Sequence, residues 1–407
     1  MLNVKSYEET VKIIVENFAA LPLENERIKL DDAVGRVTAE DILSKEDVPG
    51  FNRSSVDGYA VMAHDTYGAA ETLPAQLNLI GEVKMGEKTS FKLEMGQAAY
   101  VPTGGDIPEG VDAVVMVEYT ENLHDGFIYI NKSVAPGNNM VFQGDDMMAG
   151  NVVLKASRRL RTQDIGALAA MGYTEVAVKR KLKIGIISTG DELVTVDEPA
   201  GGARVRDVNS HFLYAEALKS MAEPILYGIV KDGYERIMEA VIKAAEACDL
   251  VLISGGSSVG QRDETYRVIS SLDNCKMLVH GIALKPGKPA ILAKAGNKAM
   301  VGLPGHPVSA YFIYKVIVQP LLDVMYGTSD RFSPCLPAEM VCNYPSNNGR
   351  HEFLPVRLET VNGRTFASPV FSKSGLITLL TTADGYVQIS RGSEGLAIGQ
   401  KVDVVLF

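Results

Sequence analysis

Between about Lys181 and Gly327 the chain alternates short, continuous apolar runs with segments of helical periodicity, and this constrains the fold more than any other feature. Leu182–Ile187, Leu250–Ser254, Leu278–Leu284, Ala290–Ala293 and Ala299–Leu303 read as buried strands. Asn209–Ala222, Tyr234–Cys248, Asp263–Leu272 and Pro307–Tyr326 read as helices, the last with Pro307 at its first turn. Runs that are apolar throughout predict a largely parallel, doubly wound sheet covered by helices on both faces. Ligands of such sheets sit outside the carboxyl ends of the strands, so those ends are where function is expected.

Four loops in this stretch carry the chemistry. Ser188-Thr189-Gly190-Asp191-Glu192 ends a strand with small residues, a glycine and carboxylates. Gly255-Gly256-Ser257-Ser258-Val259-Gly260 follows a second strand and precedes a helix, a setting in which backbone N–H groups cradle phosphate. It lacks the GK[ST] ending of a P-loop and is not a GxGxxG fingerprint. Asp263 just beyond it holds a metal, hydrogen-bonds a ligand or simply caps the helix. Lys285-Pro286-Gly287-Lys288-Pro289 is a rigid turn presenting two ammonium groups, which suits an oxyanion or phosphate. Gly302-Leu303-Pro304-Gly305-His306-Pro307 joins a strand to the closing helix; His306 is either a general base or ligand, or incidental.

The flanks have a different character. Ser6–Leu21 reads as an amphipathic helix with Ser6 as N-cap and Glu9 completing a capping box. From Phe51 to about Met140, the runs Tyr59–Met62, Leu77–Val83, Gln97–Val101, Ala113–Val117 and Phe127–Ile130 alternate with turn residues, as in a small β-rich domain. Val152–Tyr173 returns to helical spacing. The expected organisation is a discontinuous helical domain (1–47 with 145–180), a β-rich insertion (48–144), the α/β domain (181–327) and a C-terminal β-barrel or sandwich (328–407). Polar loops at Asn52–Ala60, Tyr100–Gly105 and Gln143–Asp146 point to a second, shared site.

At 407 residues the chain exceeds the roughly 250–300 that one core supports. A formal net charge of −10 argues against general nucleic-acid binding. Cys248, Cys275, Cys335 and Cys342 lack zinc-site spacing and read as reduced, mostly buried thiols. No signal peptide is evident, and no apolar run is expected to reach the roughly 18 residues of a membrane span. A cytoplasmic location is expected.

Together these blocks resemble the MoeA family, the molybdopterin molybdenumtransferases, which includes the gephyrin E domain and its plant relatives. The resemblance runs from Ser6 to Phe407. It is carried by Arg53–Val61, Ser188–Leu193, Gly255–Gly260 with Asp263, Lys285–Pro289 and Leu303–Ala310, in that order. It implies an elongated multidomain α/β plus β chain: a MogA-like doubly wound domain, a β-rich insertion and a C-terminal β-barrel. It also implies a homodimer with the active site shared between subunits, and transient contact with a molybdopterin adenylyltransferase.

The implied reaction inserts molybdate into adenylylated molybdopterin, with Mg²⁺, and releases AMP. By motif, Ser188, Thr189, Gly190, Gly255, Gly256, Ser257, Ser258, Gly260, Pro304, Gly305 and Pro307 would bind the cofactor. Glu192, Asp232 and Asp263 would be acidic active-site positions and metal ligands. Lys285, Lys288, Pro289, Arg350 and Ser374 would line the molybdate pocket. Asp57, Thr103 and Asp146 would reach the site from the partner subunit. The sequence departs from the family pattern at His306, where Asn is usual, and at Val56, where Met is usual. Tungstate insertion by the same chemistry, adenylylation of molybdopterin, and a gephyrin-type scaffold are the alternatives.

Overall fold

Three six-stranded sheets, each burying its own side chains, organise the computed structural model of the chain, which describes residues 4–19, 21, 23–255, 264–328, 334–346, 349–371 and 375–407. Gly256, Ser257, Ser258, Gly260, Asp263 and Ser374 lie outside the described residues.

The central sheet runs Glu223–Val230, Lys183–Thr189, Leu250–Ser254, Lys298–Leu303, Ile291–Ala295, Cys275–His280. Its first four strands are parallel, and Ile291–Ala295 runs against both neighbours. Both faces are buried, as continuous apolar runs demand. Ile184, Ile186, Leu250, Leu252 and Val301 enter one core, and Ile187, Val251, Ile253 and Met300 enter the other.

The closing segment Pro307–Tyr326 is continuous but not uniform: α-helical Pro307–Ile313 and Gln319–Tyr326 flank a π-turn at Tyr314–Val318. By length and composition this helix is long and apolar enough to cross a membrane, contrary to the expectation that no apolar run reaches that length. Two-thirds of it is buried inside the protein. Its charged residues are paired, Lys315 to Glu216 at 2.8 Å and Asp323 to Arg159 at 3.4 Å. It is a core helix, and its apolar character reflects packing against protein.

The C-terminal strands close on themselves: His351–Val361, Arg364–Pro369, Cys335–Met340, Lys401–Leu406 and Gly385–Ile389, the last pairing back onto the first. This is a barrel. The run expected as one strand from Leu278 to Leu284 ends at His280, where Gly281 turns the chain with φ +92°. Leu284–Lys285 then leaves the central sheet and pairs in parallel with His351–Glu352 of the barrel. An aromatic cluster reinforces this junction: Phe312 lies 5.9 Å from Phe353 and 5.5 Å from Tyr386.

The β-rich module is a sheet ordered Ala113–Met116, Gly58–Val61, Gln97–Val101, Ala75–Glu82, Phe127–Ile130, Thr120–Glu121. Period-two alternation sends Tyr59, Val61 and Ala98 to one cluster and Ala60, Ala99 and Val101 to the other. Beside it, Asn25–Lys29 pairs antiparallel with Glu175–Lys179, and Ile42–Leu43 with Val152–Leu154. The helical reading of Val152–Tyr173 is therefore corrected: a strand comes first, Ser157 turns the chain with φ +63°, and the helix spans only Thr162–Ala170.

The first helix, Tyr7–Phe18, has the expected cap: Ser6 Oγ accepts from Glu9 N–H at 3.1 Å, and the Glu9 carboxylate accepts from Ser6 N–H at 2.7 Å. It buries Ile14 and Phe18 in the core shared with the central sheet, not in the Ile42–Leu168–Val178 cluster of its sequence neighbours. Of the four thiols only Cys248 is fully buried and Cys335 is exposed, so the expectation of mostly buried cysteines is also corrected.

Candidate functional site

The carboxyl ends of three adjacent strands form a cradle. Ser188 and Thr189 are buried at the end of Lys183–Thr189. Gly255 follows Leu250–Ser254, and Pro304 and Gly305 follow Lys298–Leu303. Gly255 N–H donates to the Leu303 carbonyl at 3.2 Å, and Thr265 Oγ1 donates to the Gly255 carbonyl at 3.0 Å. Gly255 has φ +108°, and a Cβ there would lie 2.3 Å from the Thr189 carbonyl oxygen. Only glycine allows the two strand ends to approach this closely.

Asn209, which the motif reading did not single out, ties the cradle together. Its Nδ2 donates to Ser254 Oγ at 2.7 Å and to the Gly305 carbonyl at 2.9 Å. Two buried polar atoms here, Ser188 Oγ and Asn209 Oδ1, have no hydrogen-bond partner among the described residues. Orphaned buried polar atoms are rare and costly, so a pair of them at a strand-end cradle marks a ligand surface. Asn209 opens a helix at the expected position; nothing in its local pattern distinguishes it from an ordinary helix-start residue.

A carboxylate group flanks the cradle. The Glu192 carboxylate folds back on Gly190, both its oxygens 2.7 Å from where a Cβ would stand. Asp232 N–H donates to Asp191 Oδ1 at 3.2 Å, and Gly233 N–H to Glu264 Oε2 at 2.8 Å. Partial burial, and then the charges of Asp191, Glu192 and Glu264, push the Asp232 carboxyl above its usual range. Among the described residues, no three carboxylate, imidazole or thiol groups converge closely enough to hold a metal ion. The donors are hard oxygens, and Mg²⁺ takes one or two such carboxylates together with phosphate oxygens and water. Asp191 and Glu264 were not among the residues expected from sequence; both adjoin residues that were.

The Lys285–Pro289 turn sits where the central domain meets the barrel. The parallel pairing of Leu284–Lys285 with His351–Glu352 sets Arg350, just before His351, on the barrel strand level with Ala283. Lys285 Nζ is paired with Glu352 Oε1 at 2.8 Å. Lys288 and Arg350 are half-buried and, among the described residues, form no ion pair. Pro289 is half-buried beside Lys288.

In the β-rich module, Asp57 Oδ1 accepts from Thr103 N–H at 2.7 Å and from Thr103 Oγ1 at 3.0 Å. Those two bonds, the backbone one foremost, hold the Asp57 carboxyl below its usual range. Asp146 is exposed on the adjoining loop, its N–H donating to the Val48 carbonyl at 3.0 Å. Arg53–Ser54 pairs with Met140–Val141, and Gln143 N–H donates to Asn52 Oδ1 at 2.9 Å, so the three polar loops meet. Their hydrogen bonds run within the module and its adjoining loops. His306 is exposed at the N-cap of Pro307–Ile313, and Pro307 takes the first-turn position expected of it.

A strand-end cradle with orphaned polar groups, a carboxylate cluster and a cationic turn define an α/β protein that handles a phosphorylated or oxyanionic ligand. Known proteins narrow this class. The chain matches the MoeA N-terminal region (domains I and II) over residues 5–172, the "Probable molybdopterin binding domain" over 185–324 and the MoeA C-terminal region (domain IV) over 337–407. It is 31% identical to a molybdopterin molybdenumtransferase of Bacillus subtilis, covering 94% of this chain and 90% of that one. It is 30% identical to that of Staphylococcus epidermidis, covering 98% and 95%. The crystal structure of a molybdopterin biosynthesis moeA protein from Pyrococcus horikoshii superposes over the whole of both chains with a TM-score of 0.86 at 34% identity. The chain belongs to the MoeA family, the molybdopterin molybdenumtransferases, enzymes of molybdenum cofactor biosynthesis.

Proposed function

We propose that this chain inserts molybdate into adenylylated molybdopterin and releases AMP. The observation that carries the reading is the placement, at one end of the central sheet, of a strand-end cradle whose Ser188 Oγ and Asn209 Oδ1 lack partners among the described residues and of a turn whose Lys288, like Arg350 of the neighbouring barrel, forms no ion pair among the described residues. Ser188, Thr189, Gly190, Gly255, Pro304 and Gly305 form the pterin-phosphate cradle, with Pro307 opening the helix whose N-terminus faces it. Lys288 and Arg350 hold the molybdate dianion, with Lys285 and Pro289 shaping the turn.

Glu192, Asp232 and Asp263 would hold Mg²⁺ only together with phosphate oxygens of the substrate, since the described carboxylates do not by themselves converge on a metal position. When bound, the ion neutralises charge developing on the phosphoanhydride. The raised Asp232 carboxyl fits this role, because a cation relieves the like-charge crowding that, after partial burial, raises it. Asp57, with its carboxylate fixed by Thr103, and Asp146 lie on a different module and serve the site of the partner subunit in a homodimer. The test is reconstitution with adenylylated molybdopterin, Mg²⁺ and either molybdate or tungstate, following AMP. Release that depends on an oxyanion supports the reading; no AMP with either oxyanion ends it.

A further inference from the structure

Glu352 is 3% exposed, yet it stands beside a turn that must attract an anion. Its carboxylate accepts three hydrogen bonds. Oε1 accepts from Lys285 Nζ at 2.8 Å and from Tyr344 Oη at 2.7 Å, and Oε2 accepts from Ser346 Oγ. Lys285 and Glu352 are also direct partners in the short parallel ladder that joins the central domain to the barrel. Burial of the Tyr344 hydroxyl, and then its hydrogen bond to and the charge of Glu352, push that hydroxyl well above its ordinary value, so Tyr344 donates without ionising. The Lys285 side chain remains 37% exposed, so its ammonium, with one N–H committed to Glu352, keeps donors free to face outward.

The charges at this junction can be counted. Among the described residues assigned to the oxyanion pocket, Lys285, Lys288 and Arg350 supply three positive charges, and Glu352 cancels one. We infer that Glu352 is a positioning residue that sets the charge of the oxyanion pocket: it orients Lys285 and neutralises it, leaving Lys288 and Arg350 as two uncompensated cations matched to a dianion. A pocket so balanced binds a dianion without the excess attraction that would slow its transfer or trap a more highly charged anion. The inference rests on the proposed oxyanion role of this turn. It adds a carboxylate that no motif singled out, and it assigns Lys285 an orienting role in place of a charge-supplying one.

The test measures the dissociation constant of molybdate alone, by equilibrium dialysis with elemental analysis, on the full chain. Sulfate serves as a second dianion. Glu352→Gln keeps the hydrogen bonds, because the amide oxygen still accepts from Lys285 and Tyr344 and the Ser346 hydroxyl can reverse to accept from the amide. It removes one negative charge, so molybdate and sulfate should bind at least about fivefold tighter, with a steeper dependence on salt. Lys285→Met should weaken binding about fivefold, and the double variant Lys285→Met/Glu352→Gln should return to within about twofold of the wild type. Unchanged or weaker binding by Glu352→Gln overturns the inference, and so does a double variant no better than Lys285→Met. If Glu352→Gln does not fold, the double variant, which removes both members of the pair, decides by the same recovery criterion. Wild-type protein that binds neither anion overturns the oxyanion site itself; wild-type binding with no change across the variants overturns only the role of Glu352.

Discussion

Replacing Gly255 by alanine should both destabilise the α/β domain and disable the cradle. The added Cβ would sit 2.3 Å from the Thr189 carbonyl oxygen and 2.7 Å from Thr189 Oγ1, well inside contact distance. The backbone at φ +108° is also strained for any L side chain. The conformational strain costs about 1–2 kcal/mol. Overpacking against backbone that cannot rotate away adds about 1–3 kcal/mol.

The expected loss is therefore about 2–5 kcal/mol. It is read by guanidinium unfolding followed by circular dichroism, since the chain has no tryptophan to report fluorescence. Gly296→Ala is the control. It too has positive φ, +59°, but nothing lies within 4 Å of the added Cβ, so it carries strain without the clash. Only Gly255→Ala should also lose oxyanion-dependent AMP release. Equal stability losses in the two variants, or a loss below about 1 kcal/mol at Gly255, would refute the close-approach argument.

Further outcomes follow from other parts of the structure. Lys288→Ala should raise the molybdate requirement at least about tenfold while leaving the requirement for adenylylated molybdopterin nearly unchanged; an unaltered molybdate dependence removes Lys288 from the pocket. Asp232→Asn should raise the thermal midpoint of the metal-free protein at pH 7 while lowering turnover. The Asp232 carboxyl lies above its unfolded value, so ionisation as pH rises through the folded value costs stability that the amide does not lose; a lower midpoint contradicts the like-charge account.

Asp249 behaves oppositely. Burial opposes its ionisation, but the Arg180 pair at 2.7 Å and the Lys183 N–H outweigh it and hold the carboxyl below its usual range. Its stabilisation is complete above the unfolded carboxyl value of about 4 and fades as pH falls through the folded value. Asp249→Asn should therefore flatten the acid limb of the stability profile, and an unchanged limb would count against the pairing. Light scattering should show a dimer, and a fully active monomer would rule out a site completed by Asp57, Thr103 and Asp146 of a second subunit.

The parts of the fold that were legible in the sequence are those encoded locally. Ser6 and Glu9 announce a capping box that the structure forms. Continuous runs such as Leu250–Ser254 announce a strand buried on both faces, and Gly255 announces a tight strand end. The readings that failed depend on partners distant in sequence. The spacing of Ile165, Leu168 and Ala169 is genuinely helical, but projecting it back to Val152 ignored the turn at Ser157 and the strand partner at Ile42–Leu43. Nothing local shows that Leu284–Lys285 abandons its own sheet for a barrel strand starting at His351. The charge state of the lysine turn was illegible for the same reason. Glu352 looks like one polar residue in a β run until the ladder sets it against Lys285. Asn209 was missed because a buried amide at a helix start looks the same in sequence whether it bonds its own helix or, as here, two strand ends.

The most direct test of the central claim is a single-turnover reaction of the wild-type chain with adenylylated molybdopterin, Mg²⁺ and molybdate, in which AMP and pterin-bound molybdenum are quantified in the same quenched samples. The account predicts that both appear together, one for one, and that omitting molybdate abolishes the pair. AMP formed without molybdenum entering the pterin, or no AMP at all, would contradict it.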